Sequence, residues 1–354
     1  MTNRPWITVL IATYNSEGRL LEIMNCLKRQ KFPANWQTME VLAVDGGSTD
    51  GTVSVAAELG MRVIGNPFGD AIHAKHIGVI NAKSRLVCTL DHDELLVSDT
   101  SLLDRFNLFQ TQPELRAAIS SGYSFDAEDS ACNIYASEYG DPVSLVAYNS
   151  PNSNEHRLHS FSRKMKKCTE TNEALLLEAG SEQCPLLCEL VAGSGTVDRD
   201  FYLATFPELM DNASLIPQMY YLLGSDQARI DQIAIMKHDP VIHDSVESWS
   251  HVRKKVRWRI SNAVYNTDIA SSGLTGRSSE TSTLYEPTRV KIKFFFYCLL
   301  LIPSVLDGIK LSLRWRRVGM LYHVCLTYYV LLSTLRQNST KLLKGRELQR
   351  RYGQ

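Results

Sequence analysis

Residues 6–95 alternate between short apolar runs and stretches of helical spacing, and this alternation restricts the possible folds more than any other feature of the chain. Trp6 to Ala12 is a near-continuous apolar run, as a strand covered on both faces requires. Thr13-Tyr14-Asn15-Ser16-Glu17-Gly18 breaks it with turn and cap residues. Leu20, Leu21, Met24 and Leu27 then recur at helical spacing. A second strand over 39–44 ends in Asp45-Gly46-Gly47-Ser48-Thr49-Asp50-Gly51-Thr52. There the glycines permit a tight turn, and Ser48 or Asp50 can cap a helix over 52–59. A strand over 61–64, a helix over 71–82 and a strand over 86–90 continue the pattern. Such a succession implies an α/β fold, a Rossmann-like and mostly parallel sheet with helices on both faces.

The strand over 86–90 runs directly into Asp91-His92-Asp93-Glu94. Alternate residues of an extended chain point the same way, so Asp91 and Asp93 can project together from the strand's C-terminal end. In α/β sheets ligands collect at that end. Two carboxylates in one small region repel unless a cation or proton lies between them. A hard divalent metal holding a diphosphate suits the pair, because Mg²⁺ takes one or two carboxylates plus phosphate oxygens. Taken alone, the triplet reads equally well as an acidic turn capping the helix after Ser98-Asp99.

The formal net charge of the 354 residues is zero, but the charges are unevenly placed. From Thr288 onward the net charge is +11, so the first 287 residues carry −11. An acidic body with a basic tail points to an anionic membrane surface as the tail's partner. The basic residues alternate with long apolar runs, which argues against nucleic acid. Met1 to Trp6 runs straight into a strand without an apolar signal region. The eight cysteines are scattered, and the Cys184/Cys188 spacing is not that of a zinc knuckle. Unpaired thiols in a reduced, cytoplasmic setting are expected.

Four pieces in order carry a family resemblance: Ile11-Ala12-Thr13-Tyr14-Asn15, then Val44 to Thr52, then Asn66-x-x-Gly69 with Ala74-Lys75-His76-x-Gly78, then Leu90-Asp91-His92-Asp93. Their order and intervals resemble the family 2 glycosyltransferases of GT-A fold. The resemblance implies that Thr13, Tyr14 and Glu17 line the nucleotide pocket and that Asp45 reads the base. It also implies that Lys75 approaches the diphosphate, and that Asp91 and Asp93 form a DxD motif for Mg²⁺ or Mn²⁺. Tyr14 offers a face for stacking and Lys75 a point charge for phosphate. Asp45 and Asp50 serve equally as turn formers, and Glu17 as a surface carboxylate. The family usually has Arg and Asn where this chain has Lys75 and His76, and an ammonium lacks the bidentate fork of a guanidinium.

Arg116 to Tyr123 reads as one strand, and residues 126–190 read as polar and irregular. Gly193-Ser194-Gly195 and the strand after it match the place where the family closes over the donor sugar. Asp211 maps onto the family's catalytic base, with Met210 replacing the usual preceding Glu. Asp198 and Asp226 are alternatives, and a helix N-cap is the structural role open to Asp211. His243 follows a strand where the family places a histidine near metal and diphosphate, and neutral imidazole is a competent divalent ligand. The cationic run from His251 to Arg259 serves a leaving diphosphate, a membrane surface or simply a solvated helix face.

Two apolar runs come after a Ser/Thr/Gly-rich connector, at 294–306 and 318–335. As a helix the first spans roughly 20 Å, against about 30 Å of bilayer core, and it contains Pro303. The second carries His323. A spanning hairpin would place Lys310, Arg314, Arg316 and Arg317 across the membrane, against the positive-inside tendency. Interfacial or re-entrant helices fit better, and a core-packed helical subdomain is the alternative.

The expectation is a GT-A catalytic domain over 1–265, with a nucleotide-binding half (1–115) and an acceptor half (116–265). A linker (266–288) and a C-terminal helical membrane-associated region (289–354) complete the chain. The expected activity is inverting, metal-dependent transfer of sugar from a nucleoside diphosphate donor to a glycan or lipid-linked acceptor, at the cytosolic face of a membrane. A sugar nucleotidyltransferase would open instead with a Gly-rich loop carrying Arg and Lys. A catalytically degenerate scaffold is kept open by Lys75, His76 and Met210.

Overall fold

Ile7–Thr13 forms β1, buried along its whole length. Parallel neighbours flank it on both sides: β2 (Glu40–Asp45) and β4 (Leu86–Asp91). β3 (Arg62–Gly65) pairs with the far edge of β2. The connections are α1 (Glu17–Lys28), α2 (Thr52–Glu58) and α3 (Ala71–Asn81). α1 turns Leu20, Met24 and Leu27 inward as their spacing predicts, but Ile23 takes the remaining inward position and Leu21 is exposed. α3 lies close against β1 because residue 78 is glycine. A Cβ there would sit 1.7 Å from Leu10 Cδ1. The computed structural model describes residues 5–36, 38–69, 71–147, 152–164, 168–177, 193–205, 232–265 and 287–344.

The described part of the large sheet has the order β3-β2-β1-β4-β10-β6-β11-β9-β8. Here β6 is Leu115–Ile119, β8 Cys168–Glu170, β9 Ala174–Leu177, β10 Gly195–Asp198 and β11 Gln232–Met236. β10 runs antiparallel to both neighbours and β9 opposes β11, while β1 to β4, β6 and β11 share one direction. The expected α/β fold, with a mostly parallel central sheet, is therefore what forms. Strand order moves outward from β1 to β3 and then returns to the other side of β1 at β4. The C-terminal ends of β1 and β4 thus flank a topological switch point, where open α/β sheets bind ligands.

The run 116–123 is not one strand. It splits into β6 and β7 (Gly122–Ser124), and β7 belongs to a small sheet ordered β5-β12-β7 with β5 (Glu94–Leu96) and β12 (Pro240–His243). The break falls at buried Ser120 and Ser121. Ser120 N donates to Ser194 O, whereas Ser121 N donates to Asp239 O. Successive amides find acceptors in different segments, and the chain changes sheets between them. α4 (Ser101–Thr111) anchors this change through Arg105, whose Nε donates to Asp239 Oδ2 at 2.6 Å and whose Nη1 donates to Ser194 Oγ at 2.7 Å.

The region expected to be irregular is largely helical where described: α5 (Ala131–Tyr139), α6 (Pro142–Ala147) and α7 (Asn154–Lys164). α8 (Arg199–Thr205) comes directly after β10. The C-terminal helices are α9 (Trp249–Tyr265), α10 (Pro287–Leu299), α11 (Ile302–Trp315) and α12 (Tyr322–Lys344), with a 3₁₀ turn at Val318–Leu321.

By internal contact the chain divides into two compact units, drawn differently from the boundaries at 265 and 289 that the sequence implies. One comprises residues 1–124 and 157–243, the other 125–156 and 244–354. The second unit has its own core, in which Tyr135, Val252, Val256, Ile260, Cys298 and Leu326 are all buried. His323 lies within it, Nδ1 2.7 Å from Tyr135 Oη and Nε2 2.8 Å from Tyr297 Oη. Burial lowers its pKa to about 4, against a smaller opposing pull from Asp307. On α9, Val252, Val256 and Ile260 face this core, while Arg253, Lys254 and Arg257 are exposed. Among the described residues, Val318–Leu343 is the one helical segment long and apolar enough to cross a membrane. Its buried, doubly hydrogen-bonded histidine shows that it is also part of a protein core.

Candidate active site

Two loops at the C-terminal edge of β1 and β2 are laced together by short polar side chains. Asn15 N donates to Ser48 Oγ at 2.9 Å, Thr49 N to Asn15 Oδ1 at 2.9 Å and Ser16 N to Thr52 Oγ1 at 2.6 Å. Asn15 takes a positive φ of 47° to make this turn, a conformation asparagine tolerates better than most residues. Glu17 belongs to the same lacing. Its Oε2 accepts from Gly51 N at 2.9 Å, so its carboxylate braces the start of α2.

Asp45 is buried and accepts four hydrogen bonds. Oδ2 takes Gly47 N at 3.0 Å and Ser48 N at 2.9 Å, and Oδ1 takes Thr13 Oγ1 at 3.2 Å and Ser48 Oγ. A carboxylate offers about four lone-pair positions. Contact with a nucleobase at Asp45 therefore needs Ser48 or a backbone donor to give way. Tyr14, half-buried, comes directly after β1.

Lys75 on α3 and Asp91 at the end of β4 form an ion pair, with Nζ 3.0 Å from Oδ1 and 3.1 Å from Oδ2. Nζ makes its hydrogen bond to Oδ2, and Oδ1 is buried without one. Asp93 lies across the turn with Oδ2 3.4 Å from His243 Nε2. Strand register explains this meeting, because His243 of β12 stands opposite Glu94 of β5. Tyr123 stacks on the His243 ring at 4.4 Å between centroids and 13° between planes.

Glu94 completes the cluster, with Oε2 accepting from Asp91 N at 3.0 Å and Oε1 from Tyr123 Oη at 3.2 Å. Burial pushes its pKa up to about 7, the neighbouring Asp91 charge adds to the rise, and Lys75 and His243 oppose it. The Tyr123 phenol is raised well above its usual range, first by burial and then by Glu94.

Asp91, Asp93, Lys75 and His243 are thus brought to one edge, as the Lys75–Asp91 ion pair and a close carboxylate–imidazole contact. Among the described residues no group of three or more His, Cys, Asp or Glu forms a ready metal cage. The donor chemistry still fits a hard divalent ion completed by phosphate oxygens, because Asp91 and Asp93 offer carboxylate oxygens at one edge and Asp91 Oδ1 has only the Lys75 ammonium, 3.0 Å away, beside it. His76 turns away from this edge, with its Nδ1 against Tyr202 Oη. Asp198, an alternative candidate for the base, lies at the end of β10 and is buried. Oδ2 binds Arg85 at 2.7 Å, and Oδ1 accepts from Asp200 N and Phe201 N at the start of α8. Asp211 and Asp226 lie outside the described residues.

Glu94 and Tyr123 are the site residues that local sequence reading passes over. Glu94 is visible as a third acidic residue, but its burial depends on β12, which comes more than a hundred residues later.

Residues 8–126, about a third of the chain, match the model of the family described as "Glycosyl transferase family 2". Among solved structures, the chain is similar to S. aureus TarS, at 15% identity and a TM-score of 0.44 over 95% of this chain, and it spans 54% of that chain's length. It is similar to S. aureus TarS 1-349 in complex with UDP-GlcNAc, at 15% identity and a TM-score of 0.45 over 96% of this chain and 92% of that one. It is also similar to the mannosyltransferase PcManGT from Pyrobaculum calidifontis in complex with GDP-Man and Mn²⁺, at 14% identity and 0.44 over 98% and 89%. No curated protein matches the sequence.

Proposed function

We propose that the protein is an inverting glycosyltransferase that moves a sugar from a nucleoside diphosphate donor to a glycan or lipid-linked acceptor. The observation that carries this reading is the meeting of Asp91, Asp93, Lys75 and His243 at the switch point of the stretch that matches the family 2 model. Thr13 and Tyr14 border the nucleotide, and Asp45 meets the base through or in place of its Ser48 contact. Glu17 and the 45–52 turn hold these groups in register. Asp91 and Asp93, with His243 behind Asp93, are the residues that would hold Mg²⁺ or Mn²⁺. When bound, the cation offsets charge developing on the departing diphosphate. Lys75 leaves Asp91 for the diphosphate and adds a second positive charge there. The acceptor hydroxyl gives its proton to a carboxylate, assigned to Asp211. Its oxygen attacks the anomeric carbon from the face opposite the diphosphate, which leaves with the electrons of the broken C–O bond. The acceptor is presented at an anionic membrane on its cytosolic side, where residues 289–354 attach the enzyme.

The test is calorimetry of uridine and guanosine diphosphates with and without Mn²⁺, on the wild type and on Asp93→Ala. Metal-dependent binding that disappears in Asp93→Ala, at an unchanged thermal midpoint, is the expected result. An Asp93→Ala variant that binds normally would remove the metal role. Absence of nucleotide binding in the wild type would favour the scaffold reading, for which the closed Lys75–Asp91 pair speaks. Mass spectrometry of products from a panel of nucleotide sugars then identifies the donor.

A further inference from the structure

α10 and α11 meet at 87°. The corner is Leu299-Leu300-Leu301-Ile302, with exposures of 63%, 59%, 49% and 68%. α11 buries Ser304, Gly308 and Leu311 on one side. On the other, Ile302, Leu306, Ile309 and Leu313 recur at i, i+4, i+7 and i+11, and all are exposed. α10 repeats this arrangement, with Phe294 and Cys298 inward and Ile292, Phe295, Phe296 and Leu299 outward. A helix on a protein surface in water carries one apolar face; these two carry two each. An outward apolar surface of this extent marks an interaction site.

Charge indicates what covers it. Residues 294–306 contain no charged side chain. Lys293 stands at the start of this stretch, and exposed Lys310 and Arg316 stand beyond its end. Asp307, directly after the stretch, is held by Tyr297 at 2.9 Å and Lys310 at 3.1 Å. An uncharged apex with basic far ends complements a bilayer, whose apolar interior lies below a negative headgroup layer. A second copy of the chain would instead bring like charges together across a self-complementary contact. Leu301 has a φ of +53°. In a turn facing water that conformation favours glycine or asparagine, and leucine there adds apolar surface at the apex.

We propose that the 299–302 corner is a membrane wedge: it enters an anionic bilayer from one side, with Lys293, Lys310 and Arg316 at headgroup level, and neither arm crosses. The proposal rests on the membrane reading above and names the part that penetrates. The inward faces of both arms are already filled by core residues such as Phe294, Cys298 and Leu311, so a crossing would have to strip that core. The thirteen residues of α10 also span only roughly 20 Å, against about 30 Å of hydrocarbon.

The experiment is co-sedimentation of the full chain with phosphatidylcholine vesicles, with and without phosphatidylserine, at low and high salt. Two double variants are compared: Leu300→Glu with Ile302→Glu, and Lys310→Glu with Arg316→Glu. All four positions are exposed, and thermal midpoints verify that the fold is kept. The wild type should pellet with the anionic vesicles. The corner variant should partition on the order of tenfold less or weaker, and the charge variant should lose the preference for phosphatidylserine. If the wild type pellets and the corner variant pellets equally, the wedge is wrong while membrane association stands. No pelleting of the wild type overturns both. Resistance of the wild type to alkaline carbonate extraction means a spanning helix and overturns the wedge. A lipid-independent dimer lost in the corner variant, with vesicle binding unchanged, replaces the bilayer by a second copy.

Discussion

Lys75 sits on Asp91 where an incoming cation would bind, and the two charges are at contact distance. At that separation an ammonium and a divalent ion would compete for one carboxylate, so on the proposed function Lys75 would hold metal affinity low until a diphosphate drew its side chain away. Metal and nucleotide should then bind together far better than metal alone. Replacing Lys75 by Met removes the competitor and the phosphate contact at once. Free-Mn²⁺ measurement by electron paramagnetic resonance should show the variant binding Mn²⁺ alone on the order of tenfold more tightly than the wild type. Binding of nucleotide with Mn²⁺ should weaken in the same variant. Equal affinity of both proteins for Mn²⁺ alone would show that the ion pair guards nothing. Asp45 teaches a related lesson. Its position at a strand end before two glycines is plain in the sequence, but the four donors that fill its carboxylate come from residues 13, 47 and 48 and become visible only once the loops are folded.

At the scale of elements, β1 to β4 and their helices were legible because each carries its own apolar period and turn residues. The division of 116–123 into two strands was not. It depends on acceptors at Ser194 and Asp239, which no local pattern announces. The buried pair that pins this crossing, Arg105 with Asp239, gives a direct test. Asp239→Ala leaves an uncompensated guanidinium in a site 0% exposed, and loss of one member of such a pair costs about 3–5 kcal/mol. Urea denaturation should register that loss, and a change below about 1 kcal/mol would mean the charge is compensated by other groups. His323 supplies a pH signature for the helical unit. Its folded pKa, about 4, lies below the value of about 6.5 of an unfolded histidine. The native state therefore holds it neutral, and protons bind preferentially to the unfolded chain. The resulting stability is fully present above about pH 6.5 and is lost as pH falls toward 4, at no more than about 1.4 kcal/mol per unit. Urea midpoints over this window should fall less steeply for His323→Gln than for the wild type. Parallel slopes would remove the assignment.

At the scale of the whole molecule, the sequence invites a cut near residue 289, where acidic body gives way to basic tail. Packing argues against treating residues 289–354 as an appendage. Phe294, Cys298, Leu311, Met320, Leu326 and Val330 are buried in one cluster with Ile134, Tyr135, Val252, Val256 and Ile260. The buried contacts tie α10 to α12 to α5 and α9, so the basic tail is also half of a core. Removing residues 289–354 would expose the inner faces of α5 and α9, and each large apolar side chain returned to water costs about 1.5–3 kcal/mol. The truncated chain should bind a hydrophobic dye, lose the cooperative melting of the helical unit and aggregate, even in the absence of any membrane. Substitutions confined to Leu300 and Ile302 should leave the melt intact, because both side chains point away from that core. A truncated protein that stays monodisperse and melts as cooperatively as the full chain would show that α10 to α12 are added to a finished fold. The exposed apolar surface of α10 and α11 would then be separable from the rest of the chain.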